Sequence, residues 1–187
     1  EDLSLMADKE VLLLDGETMR RTLRRLAHEI IEKNPDLSNV ILVGILRRGA
    51  SLAGILSEEI GNIEGVAVPV EFLDITFYRD DLERKTEVSN FRSAGADIFS
   101  RDISDRDVII VDDVIFTGRT VRAAIDAVMS RGRPRRIQLA VLIDRGHREL
   151  PIRPDYVGKN VPTSLEEKIT VRCEEYDGEQ NVVLSKK

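Results

Sequence analysis

The chain predicts a doubly wound, mostly parallel α/β sheet with a small hood and a carboxyl-terminal β-hairpin. Three observations carry this. Short, nearly continuous apolar runs recur, as strands buried on both faces require. Segments of helical period separate them, and the final stretch turns to two-residue alternation.

Residues 17–34 set Met19, Leu23, Leu26, Ala27 and Ile30 at helical spacing, and Pro35 stops the helix. Residues 39–45 are almost wholly apolar and predict a strand. Residues 49–60 return to helical period and end at Gly61, and 66–75 read as extended. Residues 79–97 are polar, charged and aperiodic, too long for an ordinary connection, and are expected to form a flexible loop acting as a lid. Residues 107–111 predict a strand buried on both faces. Residues 119–130 predict a helix with Val121, Ala124, Ile125 and Val128 on one side, closed by Gly132 and Pro134, and 136–143 a further strand. From Asp144 to Ser164 the chain reads as a Gly/Pro-punctuated loop. Residues 168–173 and 181–184 then alternate around Asp177-Gly178 as a hairpin. The 187 residues suit one domain, with 144–187 as hood segment and hairpin. The five residues ahead of Met6 read either as an amino terminus or as a cloning remnant.

A net charge of −6 argues against a surface that is basic throughout, leaving room only for local basic patches. Cys173 is the sole cysteine, so no intrachain disulfide forms, and no apolar run is long enough to span a bilayer. A cytoplasmic location with no membrane partner is expected. Arg131, Arg133, Arg135 and Arg136 read as a solvated turn, whereas Arg20, Arg21, Arg24, Arg25 and His28 form a basic stripe opposite the apolar face of the first helix.

The segment Val108-Ile-Ile-Val-Asp112-Asp113-Val-Ile-Phe116-Thr117-Gly118-Arg119-Thr120 carries the chemistry. A buried strand delivers two carboxylates to a small-residue turn that opens a helix. Amides at such a turn lack intrahelical partners and, with the hydroxyls of Thr117 and Thr120, cradle a phosphate. The helix dipole contributes only about 0.3–1 kcal/mol, so directed hydrogen bonds supply most of the grip. Asp112 and Asp113 can accept from a vicinal diol. Phosphate and diol together specify a ribose 5-phosphate. Two aspartates at a strand end also occur as plain helix caps, but here the pair, the apolar strand and Thr-Gly-x-Thr come together. Gly44 to Gly49 has the glycine spacing of a nucleoside-triphosphatase loop without its lysine, which excludes that class; no dinucleotide fingerprint or metal-ligand spacing occurs. Arg47 and Arg48 in that loop suit a leaving pyrophosphate.

This motif resembles the phosphoribosyl pyrophosphate motif of the type I phosphoribosyltransferases. Four further stretches, 73–82, 132–134, 139–153 and 157–164, resemble the bifunctional family that combines pyrimidine operon attenuation with uracil phosphoribosyltransferase activity. The resemblance implies the type I phosphoribosyltransferase fold and formation of UMP and pyrophosphate from uracil and phosphoribosyl pyrophosphate with magnesium (Mg2+). It also implies UMP- or UTP-sensitive binding of leader mRNA, and a homodimer or homotetramer. Asp112, Asp113, Arg48 and Arg79 are then the catalytic set. Arg47, Val114, Ile115, Phe116, Thr117, Gly118, Arg119, Thr120, Asp144, Tyr156 and Val157 join Arg48 and the two aspartates around the substrates. In this scheme Tyr156 stacks on the base, Val157 meets it through its backbone, and Asp144 accepts the uracil N3–H. Phe116 stands where 6-oxopurine enzymes carry an aspartate, which favours a pyrimidine. The expected RNA contacts are Arg21, Arg24, Arg25, His28, His147, Arg148, Arg153 and Lys159. Arg24 and Arg47 stand where relatives commonly have threonine, and Glu71 where they have glycine. Two other readings stay open: a non-catalytic, nucleotide-sensing RNA-binding regulator, and a phosphoribosyltransferase for another base.

Overall fold

The structure is a computed structural model and describes residues 9–76 and 100–186. Its centre is a five-stranded sheet built from β2 (Val40–Ile45), β3 (Val70–Leu73), β4 (Asp107–Ile115), β5 (Arg136–Asp144) and β6 (Tyr156–Asn160). The order is β3-β2-β4-β5-β6, and every neighbouring pair is parallel. β2 is buried along its whole length, as its unbroken apolar run demands. Two helices, α1 (Gly16–Lys33) and α2 (Arg48–Glu64), contribute to a core on one face with Leu42, Ile109 and Leu142. The helix α3 (Arg119–Met129) packs on the other face against Ile41, Val108 and Ile110. Alternate residues of each strand thus feed opposite cores, which is the double winding expected.

Two elements depart from the sequence expectation. The segment from Asp144 to Ser164 is not loop throughout, because it contains β6 at the edge of the central sheet. The terminal hairpin, β7 (Glu167–Arg172) and β8 (Asn181–Lys186), gains a third strand, β1 (Val11–Leu14), giving the order β1-β8-β7. A single helical turn, α4 (Glu174–Asp177), bridges β7 and β8 and closes at Gly178, whose φ of 69° suits glycine. Ile169, Val171, Val182 and Leu14 of this small sheet belong to the same core as α1 and α2, so burial ties the hood to the main sheet. The expected lid at 79–97, with Arg79, lies outside the described residues.

Register places the chemistry. Asp112 sits opposite Val141, Ile115 opposite Asp144, and Asp144 opposite Asn160. The polar residues therefore gather at the carboxyl ends of β4, β5 and β6, on the edge of a parallel sheet where ligands bind. The opposite edge is held by Asp107. Its buried carboxylate accepts from Arg135 Nε at 2.8 Å, from a second Arg135 nitrogen and from Arg136 Nε at 3.2 Å. The Arg135 hydrogen bond, chiefly, holds its carboxyl below the usual range, while burial pushes the other way. A carboxyl whose folded pKa lies below its unfolded value contributes stability above that value and loses it as pH falls through the folded one. Asp107→Asn should therefore cost about 1.5–3 kcal/mol at neutral pH. Denaturation followed across pH should show the gap to wild type narrowing below about pH 4. A gap independent of pH would contradict this pairing.

Candidate active site

Asp112 is 6% exposed and Asp113 half-buried near the end of β4. The Asp113 amide donates to Asp112 Oδ1 at 2.9 Å, and the Val114 amide donates to Asp113 Oδ1 at 2.8 Å. Each carboxylate is thereby pinned to the backbone beside it, with its orientation fixed before any ligand arrives. Val114 is half-buried and Ile115 buried, and both continue the strand into the turn. Gly118 turns the chain at φ 94°, a region closed to most side chains, and caps α3 without a side-chain bond. Thr117 Oγ1 accepts the Arg119 amide at 3.3 Å. The Arg122 amide makes the first intrahelical bond, to Gly118. Helix geometry leaves the amides of Thr120 and Val121 without intrahelical partners.

This turn does not stand alone. The Phe116 carbonyl accepts from Arg148 Nη1 at 2.8 Å, and the Thr117 carbonyl accepts the amides of Glu149 and Leu150. The Arg145 amide donates to the Ile115 carbonyl, and Arg119 pairs with Glu149 at 2.8 Å. The chain after β5 thus clamps the phosphate-shaped turn from outside. Arg145 also stacks over the Phe116 ring at 4.1 Å, while His147 meets that ring edge-on at 5.6 Å.

The second loop, between β2 and α2, is drawn against β4 by glycine. A Cβ on Gly49 would stand 2.5 Å from the Val111 carbonyl oxygen and 3.2 Å from the Asp112 Cα. On Gly44 it would stand 2.5 Å from the Ala50 Cα. The Leu46–Arg47 peptide is cis. Arg47 immediately precedes α2 and Arg48 is its first residue. Arg48 pairs with Asp177 of α4, Nη2 to Oδ1 at 2.8 Å, and lies close enough to Asp113 to feel its charge. Asp177 raises the Arg48 pKa, and Arg48 in turn lowers that of Asp177. Nearby Cys173 is pushed up to about 11, first by burial and then by Asp113 and Asp177, so its thiol stays protonated at neutral pH and is no nucleophile.

A cavity of about 400 Å³ opens at the carboxyl ends of β5 and β6, lined by Asp144, Arg145, His147, Asn160, Pro162 and Thr163 among others. A second cleft, of about 440 Å³, lies between α1 and β6; it shares Asp144 and Asn160 with the first and adds Arg153 and Val157.

Several residues do other work than the sequence suggested. Tyr156 is 1% exposed, and its hydroxyl bonds to Asn34 and Gln138. It sits opposite Ala140, well back from the strand ends, so its ring packs in the core and is not offered to a base. Val157 accepts Arg25 Nη2 through its carbonyl at 3.3 Å. Asp144 lines the cavity, but its carboxylate already accepts the Gly146 amide and Arg148 Nη2. Arg148 is therefore a structural clamp, and its guanidinium is not presented outward to RNA. Arg24 pairs with Glu59 of α2 at 3.0 Å, Arg21 with Glu17 at 3.2 Å, and Arg25 with Glu29 at 3.1 Å as well as the Gly158 carbonyl. His28, Arg153 and Lys159 are exposed. His147 faces the cavity and bonds the Thr163 carbonyl. Arg145, Asn160 and Asp177 escaped the sequence reading. Only the position of Asp144-Arg-Gly-His at a strand end pointed toward Arg145.

The fold and site define a phosphoribosyltransferase, and the sequence profile of the phosphoribosyl transferase domain matches residues 9–176. The hypoxanthine phosphoribosyltransferase of Trypanosoma cruzi, in complex with the product IMP, superposes with a TM-score of 0.71 over 98% of this chain and 93% of that one at 18% identity, showing the shared fold. Within that class the chain belongs to the family of proteins named Bifunctional protein PyrR. It is 58% identical to the Pelotomaculum thermopropionicum protein over 96% of this chain and 97% of that one. It is 54% identical to the Halalkalibacterium halodurans protein over 94% and 97%.

Two of the three glycines of α2, Gly49 and Gly54, give a test of the loop packing. Gly49→Ala should cost about 1–3 kcal/mol in denaturant unfolding, because backbone must move. Gly54→Ala, with nothing within 4 Å of the added methyl, should instead be neutral or stabilise by up to about 1 kcal/mol. Equal effects would show that Gly49 is not a forced contact.

Proposed function

We propose that this protein transfers ribose 5-phosphate from phosphoribosyl pyrophosphate to uracil, giving UMP and pyrophosphate, and binds leader RNA to govern attenuation of pyrimidine genes. The carrying observation is the clamped turn at 116–120 beside the pinned Asp112–Asp113 pair, in a chain of this family. In this reading the bond from the anomeric carbon to pyrophosphate breaks, the bond to uracil N1 forms, and the N1 proton leaves. Positive charge grows on the ribose and negative charge on the leaving group, so positioning and electrostatics do the work. Asp112 and Asp113 hold the ribose hydroxyls. Val114 to Thr120, with the hydroxyls of Thr117 and Thr120, hold the 5′-phosphate. Arg47 and Arg48 face the pyrophosphate, with Asp177 fixing the Arg48 guanidinium. Arg79, outside the described residues, is assigned to closure over the site.

Magnesium fits this set: Asp113 supplies a hard oxygen donor beside the pyrophosphate loop, as such sites use one or two carboxylates with substrate phosphates. When bound it would neutralise charge on the pyrophosphate. Among the described residues no group of three or more His, Cys, Asp or Glu is placed to hold a metal unaided. No helix among them is long and apolar enough to cross a membrane.

The RNA reading rests on α1 lying against β6, with His28, Arg153 and Lys159 exposed around that face. Arg25 reaches that face through the Val157 and Gly158 carbonyls, whereas Arg24 pairs with Glu59 of α2 and Arg21 with Glu17 along α1.

Asp113→Asn should lower uracil-dependent pyrophosphate release on the order of 100- to 1000-fold. Turnover at the wild-type rate would defeat the assignment. Lys159→Ala should weaken leader-RNA binding and reduce the slope of log affinity against log salt by about one. An unchanged slope would remove Lys159 from the RNA face.

A further inference from the structure

We infer that Asn160 is the side chain that selects the base, reading the N3–H and adjoining carbonyl of a pyrimidine-2,4-dione. This rests on the transferase reading above and specifies its base pocket. Most hydrogen-bonding groups in the cavity at the ends of β5 and β6 are engaged within the protein. The Asp144 carboxylate accepts Gly146 N–H at 3.0 Å through Oδ1 and Arg148 Nη2 at 2.6 Å through Oδ2. Arg145 donates Nε to Thr163 Oγ1 at 3.0 Å, and Nη2 to the carbonyls of Ser164 and Glu167 at 3.0 and 2.8 Å. The Thr163 hydroxyl donates back to the Arg145 carbonyl. Pro162 has no donor. His147 Nε2 lies 2.5 Å from the Thr163 carbonyl. A carbonyl only accepts, so Nε2 carries the proton in this contact.

Asn160 differs from all of these. Among the described residues its carboxamide has no hydrogen-bond partner. Its backbone is fixed, since it sits opposite Asp144 in the β5–β6 register and the next amide, Val161, donates to the Asp144 carbonyl at 2.8 Å. A carboxamide sets one acceptor beside one donor, the complement of N3–H beside a ring carbonyl. The Asp144 carboxylate, its charge matched by Arg148, has only acceptors and cannot supply that pair. Among the side chains lining the cavity, Asn160 alone sets a donor and an acceptor side by side on one group with no partner among the described residues, which makes it a recognition element.

The test measures UMP and ribose 5-phosphate binding by calorimetry, and uracil turnover, in wild type, Asn160→Ala and the isosteric Asn160→Asp. Asn160 is exposed, and both variants should fold with wild-type circular dichroism. The expected result is a rise in uracil KM and UMP Kd on the order of 10- to 100-fold in both variants. Ribose 5-phosphate affinity and the KM for phosphoribosyl pyrophosphate should stay unchanged. Asn160→Asp, which keeps acceptors and loses the donor, should also narrow the preference for uracil over cytosine. Wild-type UMP binding with unaltered values in both variants overturns the role of Asn160 alone. A wild type that binds neither UMP nor ribose 5-phosphate overturns the transferase reading and this inference together.

Discussion

The contact between Gly49 and the backbone of β4 is the constraint on which the rest of the site depends. With the Val111 carbonyl only 2.5 Å from where a Cβ would stand, the loop bearing Arg47 and Arg48 touches the strand bearing Asp112 and Asp113 with no side chain between them. The backbones that carry the two arginines and the two aspartates are thereby held together, and Asp177 then orients the Arg48 side chain. The clamp from Arg145 to Leu150 does the same for the turn at 116–118, using main-chain carbonyls as its anchors. Both devices fix geometry through backbone, which costs no rotamer entropy when a ligand binds.

The hood adds charge to this frame. Asp177 reaches from α4 to Arg48, and Ser51 of α2 bonds Glu175 of the same turn at 2.6 Å. The loop end of the small sheet is thus fastened to α2, which begins at Arg48. Its strands share the α1–α2 core, so the hood is held by apolar burial beneath and ion pairing above.

The buried parallel strands were legible because burial on both faces leaves an unmistakable apolar run, and the helices because α1 and α3 keep one apolar side. β6 was not legible. It is an edge strand whose Tyr-Val-Gly-Lys-Asn mixes polarity, with Lys159 and Asn160 exposed, so no period marks it. β1 was equally silent, since four residues become a strand only through pairing with β8 at the far end of the chain. The strand, turn and helix start at 107–120 were readable because they are contiguous in the chain. Tyr156 misled because residue type cannot say whether a ring faces core or cavity. Its pairing with Ala140, four residues before Asp144, decides that. Arg145, Asn160 and Asp177 acquire meaning only from neighbours distant in sequence.

β6 has one further property. Arg25 of α1 grips the carbonyls of Val157 and Gly158, while Asn160, two residues on, lines the cavity at the strand ends. Gly158 packs so closely that a methyl there would meet the Leu142 carbonyl oxygen at 2.4 Å and Thr22 at 2.9 Å. The five residues of β6 consequently carry two sets of contacts, with α1 on one flank and the cavity on the other. A substitution at Gly158 that displaced β6 would move the α1 contact and the Asn160 side of the cavity together.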